Sequence, residues 1–127
     1  MDPVWLGKAA VLAMHGRLLA EHGGAPGIRD SSLLDSALAR PQNLLAYNDP
    51  DICDLAASYT SGIIRNHPFV DGNKRTGFVA GYVFLVCNGL RLMASELDVF
   101  QVVTLLAASE IEESEFAAWL RENCEST

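Results

Sequence analysis

The sequence predicts an all-α domain: a compact bundle of about six helices around a buried central helix, with a small flap that is a loop or a short hairpin. Three observations predict it. Apolar residues recur at three-and-four spacing along most of the chain, clusters of glycine, proline and asparagine separate those stretches, and no stretch alternates as a strand would. At 127 residues the chain fits one domain, 1–127, large enough to bury a core and too short for two ordinary ones.

Each element has its own signature. Val4 to Glu21 carries Leu6, Ala10, Ala13, Met14 and Leu18 on a helical stripe entered through Pro3, and His22-Gly23-Gly24 ends it. His15 and His22 lie two turns apart, about 10 Å along the axis at 1.5 Å per residue, so they cannot share a metal ion and read as surface or packing side chains. Gly23 to Asp30 is rich in turn formers and forms the flap. Ser31 or Ser32 is placed to cap a helix from near Leu33, which carries Leu34, Ala37 and Leu38 until Pro41 stops or bends it. Asn43 to Pro50 reads as an irregular connector.

From Asp51 the helical period resumes through Leu55, Ala56, Tyr59 and Ile63, and Asn66-His67-Pro68 closes it. Thr76 to Asn88 is apolar on every side, the pattern of a buried helix, and Gly77 and Gly81 sit one turn apart where a neighbour can approach closely. Leu90 to Met93 is a short extended link. Ser95 with Asp98 starts a helix whose inner face is Val99, Val102, Val103 and Leu106, and a last helix, roughly Ser114 to Asn123, buries Phe116, Ala117 and Leu120.

Composition narrows the function classes. Nine basic against sixteen acidic residues leave a net charge of −7, a field that repels nucleic acid, so no direct nucleic-acid binding is expected. Three cysteines, Cys53, Cys87 and Cys124, show no paired spacing, which argues for reduced thiols and against a zinc site. No secretion signal opens the chain, and its longest uncharged apolar stretch, Thr76 to Leu90, falls short of the roughly 20 residues that span a bilayer. A cytoplasmic protein without membrane contact is expected.

The chemistry is concentrated in His67-Pro68-Phe69-Val70-Asp71-Gly72-Asn73-Lys74-Arg75-Thr76, a polar loop that runs directly into an apolar helix. The first N–H groups of a helix have no internal partners, so this order builds an anion site. His67 suits proton abstraction near neutral pH. Asp71 can serve as an Mg²⁺ ligand beside a nucleotide or as an N-cap. Gly72 permits a backbone that exposes N–H groups, and Asn73, Lys74 and Arg75 can donate to phosphate oxygens. Phe69 points into the core.

These residues resemble the signature of the Fic/Doc superfamily, and more closely its Doc branch, HxFx[DN][AG]NKR. The likeness extends to Gly27-Ile28-Arg29-Asp30 and on through Leu34, Ala37 and Pro41, which look like the family's flap and following helix. The resemblance implies a catalytic set of His67, Asp71, Lys74 and Arg75, phosphate contacts from Gly72, Asn73, Lys74 and Arg75, and a substrate flap at Gly27, Ile28, Arg29 and Asp30. It implies ATP and Mg²⁺, the metal held through the nucleotide at Asp71.

Members that transfer AMP resemble HPFx[DE]GN[GA]R with a further arginine three residues on. Here Lys74 replaces the small residue and Phe78 stands in place of that arginine. In the Doc branch such changes accompany transfer of the γ-phosphate to a Ser/Thr hydroxyl of a translation factor, elongation factor Tu. The implied function is a toxin kinase that arrests translation; protein adenylylation and a catalytically inert nucleotide- or phosphopeptide-binding module are the alternatives. The self-inhibitory motif of the wider family, [ST]xxxE[GN], is absent, which implies restraint by a cognate antitoxin that folds into a groove beside the active site.

Overall fold

The computed structural model describes every residue from Met1 to Thr127. Six helices, α1 (Lys8–His22), α2 (Ser31–Tyr47), α3 (Ile52–Asn66), α4 (Asn73–Cys87), α5 (Glu96–Ala107) and α6 (Glu113–Asn123), account for most of the chain. The only sheet is a two-stranded antiparallel ribbon of β1 (Leu90–Leu92) and β2 (Cys124–Ser126), with Arg91 opposite Glu125. No helix is long and apolar enough to cross a membrane.

The helix enclosed on all sides is α3, not the Thr76–Asn88 run. Every residue from Leu55 to Ile64 is buried, and α2, α4, α5 and α6 all pack on it. Its small side chains Ser58, Ser61 and Gly62 admit neighbours on every side, whereas α4 turns only one face inward. On the other face of α4, Tyr82 and Val86 are exposed and Phe78, Val79 and Val83 half-buried. Apolarity alone did not reveal that this second face has no covering helix.

Gly77 and Gly81 set the α3–α4 approach, as their spacing suggested. A Cβ on Gly81 would collide with the Thr60 hydroxyl and lie 3.0 Å from the Ala56 carbonyl, and one on Gly77 would lie 3.0 Å from the Thr60 carbonyl. Thr60 Oγ1 uses the short distance to donate to the Gly77 carbonyl at 2.8 Å.

Three boundaries differ from expectation. Helix α1 begins at Lys8 because the preceding residues run extended across the bundle: Val4 N donates to Asn88 Oδ1 at 2.7 Å and Leu6 N to Tyr59 Oη at 3.1 Å. Asp30, not Ser31 or Ser32, caps α2, its Oδ1 accepting from Ser32 N at 3.0 Å and Leu33 N at 3.1 Å. Pro41 does not end α2, which continues through Asn43 to Tyr47. Its ring lies on the buried face with Leu34 and Ala37, and the Ala37 carbonyl it leaves without an N–H partner faces Gly62 of α3.

Elsewhere the expected signals operate. Asp51 and Asp54 form a reciprocal capping box on α3, Ser95 caps α5 through Asp98 N, and α6 buries Phe116, Ala117 and Leu120. The result leaves the α3–α4 corner, and the loop that makes it, at one edge of the core.

Candidate functional site

The loop between α3 and α4 is closed by hydrogen bonds from three directions. His67 is left-handed, with φ 51° and ψ 53°, an uncommon conformation for a residue with a Cβ. Pro68 disfavours the right-handed helical region at His67, and Arg29 fixes the alternative: its Nε donates to the His67 carbonyl at 2.7 Å and its Nη2 to the Asn66 carbonyl at 2.9 Å. The main chain is thereby clamped while the imidazole stands exposed at the wall of a groove.

Phe69 is fully buried, as expected for an anchor. The Asn73 side chain clasps its main chain, Oδ1 accepting from Phe69 N and Nδ2 donating to Phe69 O, both at 3.0 Å. This corrects the expectation that the Asn73 carboxamide meets phosphate. Both its ends are engaged with the loop and the side chain is buried, so the main-chain N–H is its clearest free donor towards a ligand.

The flap is a loop joined to this loop by a single antiparallel bridge, Ile28 opposite Phe69, rather than a hairpin of its own. Arg29 N and Asp30 N both donate to the Pro68 carbonyl, at 2.7 and 3.0 Å, and Val70 N donates to the Gly27 carbonyl at 3.0 Å. The Arg29 guanidinium is bonded to the His67 and Asn66 carbonyls and the Asp30 carboxylate caps α2, so both side chains are engaged within the chain. The Ile28 N–H and C=O, on the opposite edge, have no partner in the chain.

Asp71 does not cap α4; that position belongs to Gly72, at φ 80°. Its carboxylate instead accepts from Gly72 N at 2.8 Å and, across the loop, from Ala25 N at 3.2 Å. Those two amides, the Ala25 bond foremost, together with the charge of Arg75 hold the Asp71 carboxyl below the usual carboxylate range, so it is ionised at neutral pH. Gly24 leaves the room: its φ is 126°, and a Cβ there would sit 2.9 Å from Asp71 Oδ2.

At the start of α4 the first internal acceptor is the Gly72 carbonyl, taken by Thr76 N. The N–H groups of Asn73, Lys74 and Arg75 are therefore free, and the helix dipole adds positive potential there. Lys74 and Arg75 are exposed and pair with no carboxylate, as is also true of Arg65 and Arg29, whereas Lys8, Arg17, Arg40, Arg91 and Arg121 each do. In a chain of net charge −7, two unneutralised cations beside three free amides form a marked local anion site.

His67, Asp71, Gly72, Asn73, Lys74 and Arg75 all border one groove of about 1190 Å³. Its polar end is this loop; its other end, between α4 and α5, is apolar, with Phe78, Tyr82, Val99 and Phe100. The volume exceeds the roughly 300–1,000 Å³ typical of small-molecule pockets. No group of three or more side chains that could hold a metal ion exists in the chain.

One site residue escaped sequence reasoning. His15 of α1 is buried, stacks on Phe69 with ring centroids 3.8 Å apart, and donates from Nε2 to the Asp71 carbonyl at 2.8 Å. Nothing in the spacing of α1 marks it, because the contact crosses to a loop far along the chain.

A helical domain with a histidine-headed loop running into a helix N-terminus, pinned to a flap, defines the Fic type of architecture. The chain belongs to the Fic/DOC family, whose profile matches residues 5–85, and within it to the Doc branch. It is 43% identical over 86 residues to a protein named Toxin Doc from Mycolicibacterium smegmatis, an alignment covering 66% of this chain and 65% of that protein, just under two thirds of its length. It is 30% identical over 112 residues to Protein kinase doc of Escherichia phage P1, covering 87% of this chain and 88% of that one.

Proposed function

We propose that this chain is a Doc-like toxin of a toxin–antitoxin pair, a protein kinase that moves the γ-phosphate of ATP to a Ser/Thr hydroxyl of a translation factor, elongation factor Tu, in the cytoplasm. The observation that carries this reading is the pairing of an exposed His67 with the unneutralised Lys74, Arg75 and free amides at the opening of α4. Those groups take the three oxygens of a terminal phosphate, and the name of the phage P1 relative supports phosphate as the group moved.

The reaction balances simply. The target hydroxyl gives its proton to the His67 imidazole as its oxygen bonds the γ-phosphorus; the bond to the bridging oxygen breaks and ADP leaves. Asp71 would hold Mg²⁺ on the protein side, and the ion would supply charge neutralisation on the phosphates. Lys74 and Arg75 hold the transferred group through its change in charge, and the clamped main chain of His67 fixes where its side chain leaves the loop. Phe78, half-buried in the groove, offers no second cation for the phosphate pose of AMP-transferring members.

The free N–H and C=O of Ile28 suit main-chain pairing with an extended target segment, which would draw its hydroxyl toward His67. The apolar end of the groove suits the folding segment of an antitoxin. Incubation with ATP labelled at either the γ- or the α-phosphate tests the reading: label enters the target only from the γ-position. Entry from the α-position means AMP transfer instead, and no entry from either means binding without chemistry. His67→Ala abolishes the transfer, and an active H67A protein removes the histidine from its role.

A further inference from the structure

The peptide unit between Asp71 and Gly72 is held at both ends. Its carbonyl accepts from His15 Nε2 at 2.8 Å, and its N–H donates to Asp71 Oδ1 at 2.8 Å. Because a carbonyl can only accept, His15 Nε2 carries a proton and is the donor of this bond. The same ring lies face to face with Phe69, at an interplanar angle of 8°, and a Cβ on Gly72 would be 3.7 Å from it. His15 therefore meets the loop at Phe69, Asp71 and Gly72 while itself only 6% exposed, and it does not itself line the groove.

We propose that His15 is a positioning residue: by orienting the Asp71–Gly72 peptide it aims the Asp71 carboxylate and the free amides at the start of α4 into the groove. The inference extends the phosphotransfer reading and rests on it for its kinetic consequence, though not for its structural one. A space-filling core histidine would need only its flat ring. Here the Nε2 donor is spent on the one carbonyl whose peptide also carries the N–H bound to the Asp71 carboxylate, so rotation of that peptide would release the carboxylate as well. An outer partner of this kind typically changes metal affinity or activity about 10–100-fold when removed.

Two substitutions separate ring from donor. His15→Phe keeps the stack on Phe69 and removes the donor; His15→Gln keeps an amide donor at similar reach and removes the stack. In the ligand-free full chain, amide hydrogen exchange read by NMR shows Gly72 and Ala25 losing protection in H15F and regaining it in H15Q, while the amides of α3 stay protected in both. In transfer assays H15F lowers kcat about 10–100-fold and requires more Mg²⁺, and H15Q recovers most of the loss. Wild-type exchange at Gly72 and Ala25 in H15F, or an H15Q no better than H15F, overturns the proposal. Phe69→Leu removes the stack and leaves the donor, and serves should H15F not fold: Gly72 stays protected under the proposal, and an unprotected Gly72 overturns it. A wild type that transfers no phosphate defeats the kinase reading alone, since the exchange measurements still decide the role of His15.

Discussion

Replacing Asn73 by alanine distinguishes a carboxamide that builds the loop from one that grips phosphate. Asn73 is only 4% exposed and makes two 3.0 Å hydrogen bonds to the Phe69 main chain. Alanine leaves the Phe69 N–H and C=O buried without partners, at about 1–3 kcal/mol for each such group. Partial opening of the loop to water caps the total, so the expected loss is about 2–4 kcal/mol, a large part of the 5–15 kcal/mol typical of a domain. That corresponds to a fall in Tm of roughly 6–20 °C for a chain of this length. Urea unfolding measures it directly: the midpoint drops and the slope is unchanged, because the folded surface is nearly the same. Asn73→Asp keeps the acceptor for Phe69 N but turns a second acceptor toward Phe69 O, and falls between wild type and N73A. A variant N73A within about 0.5 kcal/mol of wild type that nevertheless binds Mg-ATP far more weakly would refute the reasoning, for then the side chain serves the ligand and not the fold.

Other consequences follow from the packing and the titrations. Gly81→Ala places a Cβ against the Thr60 hydroxyl and 3.0 Å from the Ala56 carbonyl; about 1–3 kcal/mol of overpacking outweighs the roughly 1 kcal/mol gained in helix propensity, and thermal unfolding should show net destabilisation. A stabilised G81A would mean that α3 and α4 can separate freely. Burial pushes the Cys53 thiol up to about 12, while Cys87 is exposed, so a thiolate reagent at pH 8 labels Cys87 in the native chain and reaches Cys53 only on unfolding; equal rates by mass spectrometry would contradict the burial. The Asp71 carboxyl is depressed in the folded chain relative to about 3.9 unfolded, so its stabilising contribution is full above that value and is lost as pH falls through the lower folded one. The stability gap between wild type and Asp71→Asn should hold from pH 7 to about 4 and narrow below; a gap that closes between pH 7 and 5 would place the folded pKa on the wrong side of the ordinary one.

Much of this organisation was legible in the sequence because it rests on local signals. The caps at Asp51 and Ser95, the inner faces of α5 and α6, and the close approach at Gly77 and Gly81 are read from neighbouring residues, and the loop from His67 to Arg75 advertises its polar content in one run. What could not be read is set by partners distant in the chain. Whether α3 or α4 lies at the centre depends on which faces find cover, and both are apolar enough to serve. Asn73 looked like a donor for phosphate because its buried partner is a main-chain group with no sequence signature. The same holds for His15, whose bond to the Asp71 carbonyl spans most of the first half of the chain. Pro41 misled in the other direction, since a proline's local cost can be offset by burying its ring.

The central claim is that this loop moves a phosphoryl group, with His67 as base and Lys74 and Arg75 as its anion cradle. Its most direct test is the intact mass of elongation factor Tu after incubation with the chain and Mg-ATP. The account predicts a gain of one phosphate on a Ser or Thr, absent with H67A. A gain of AMP, or an unchanged mass in the presence of an active, correctly folded chain, contradicts it.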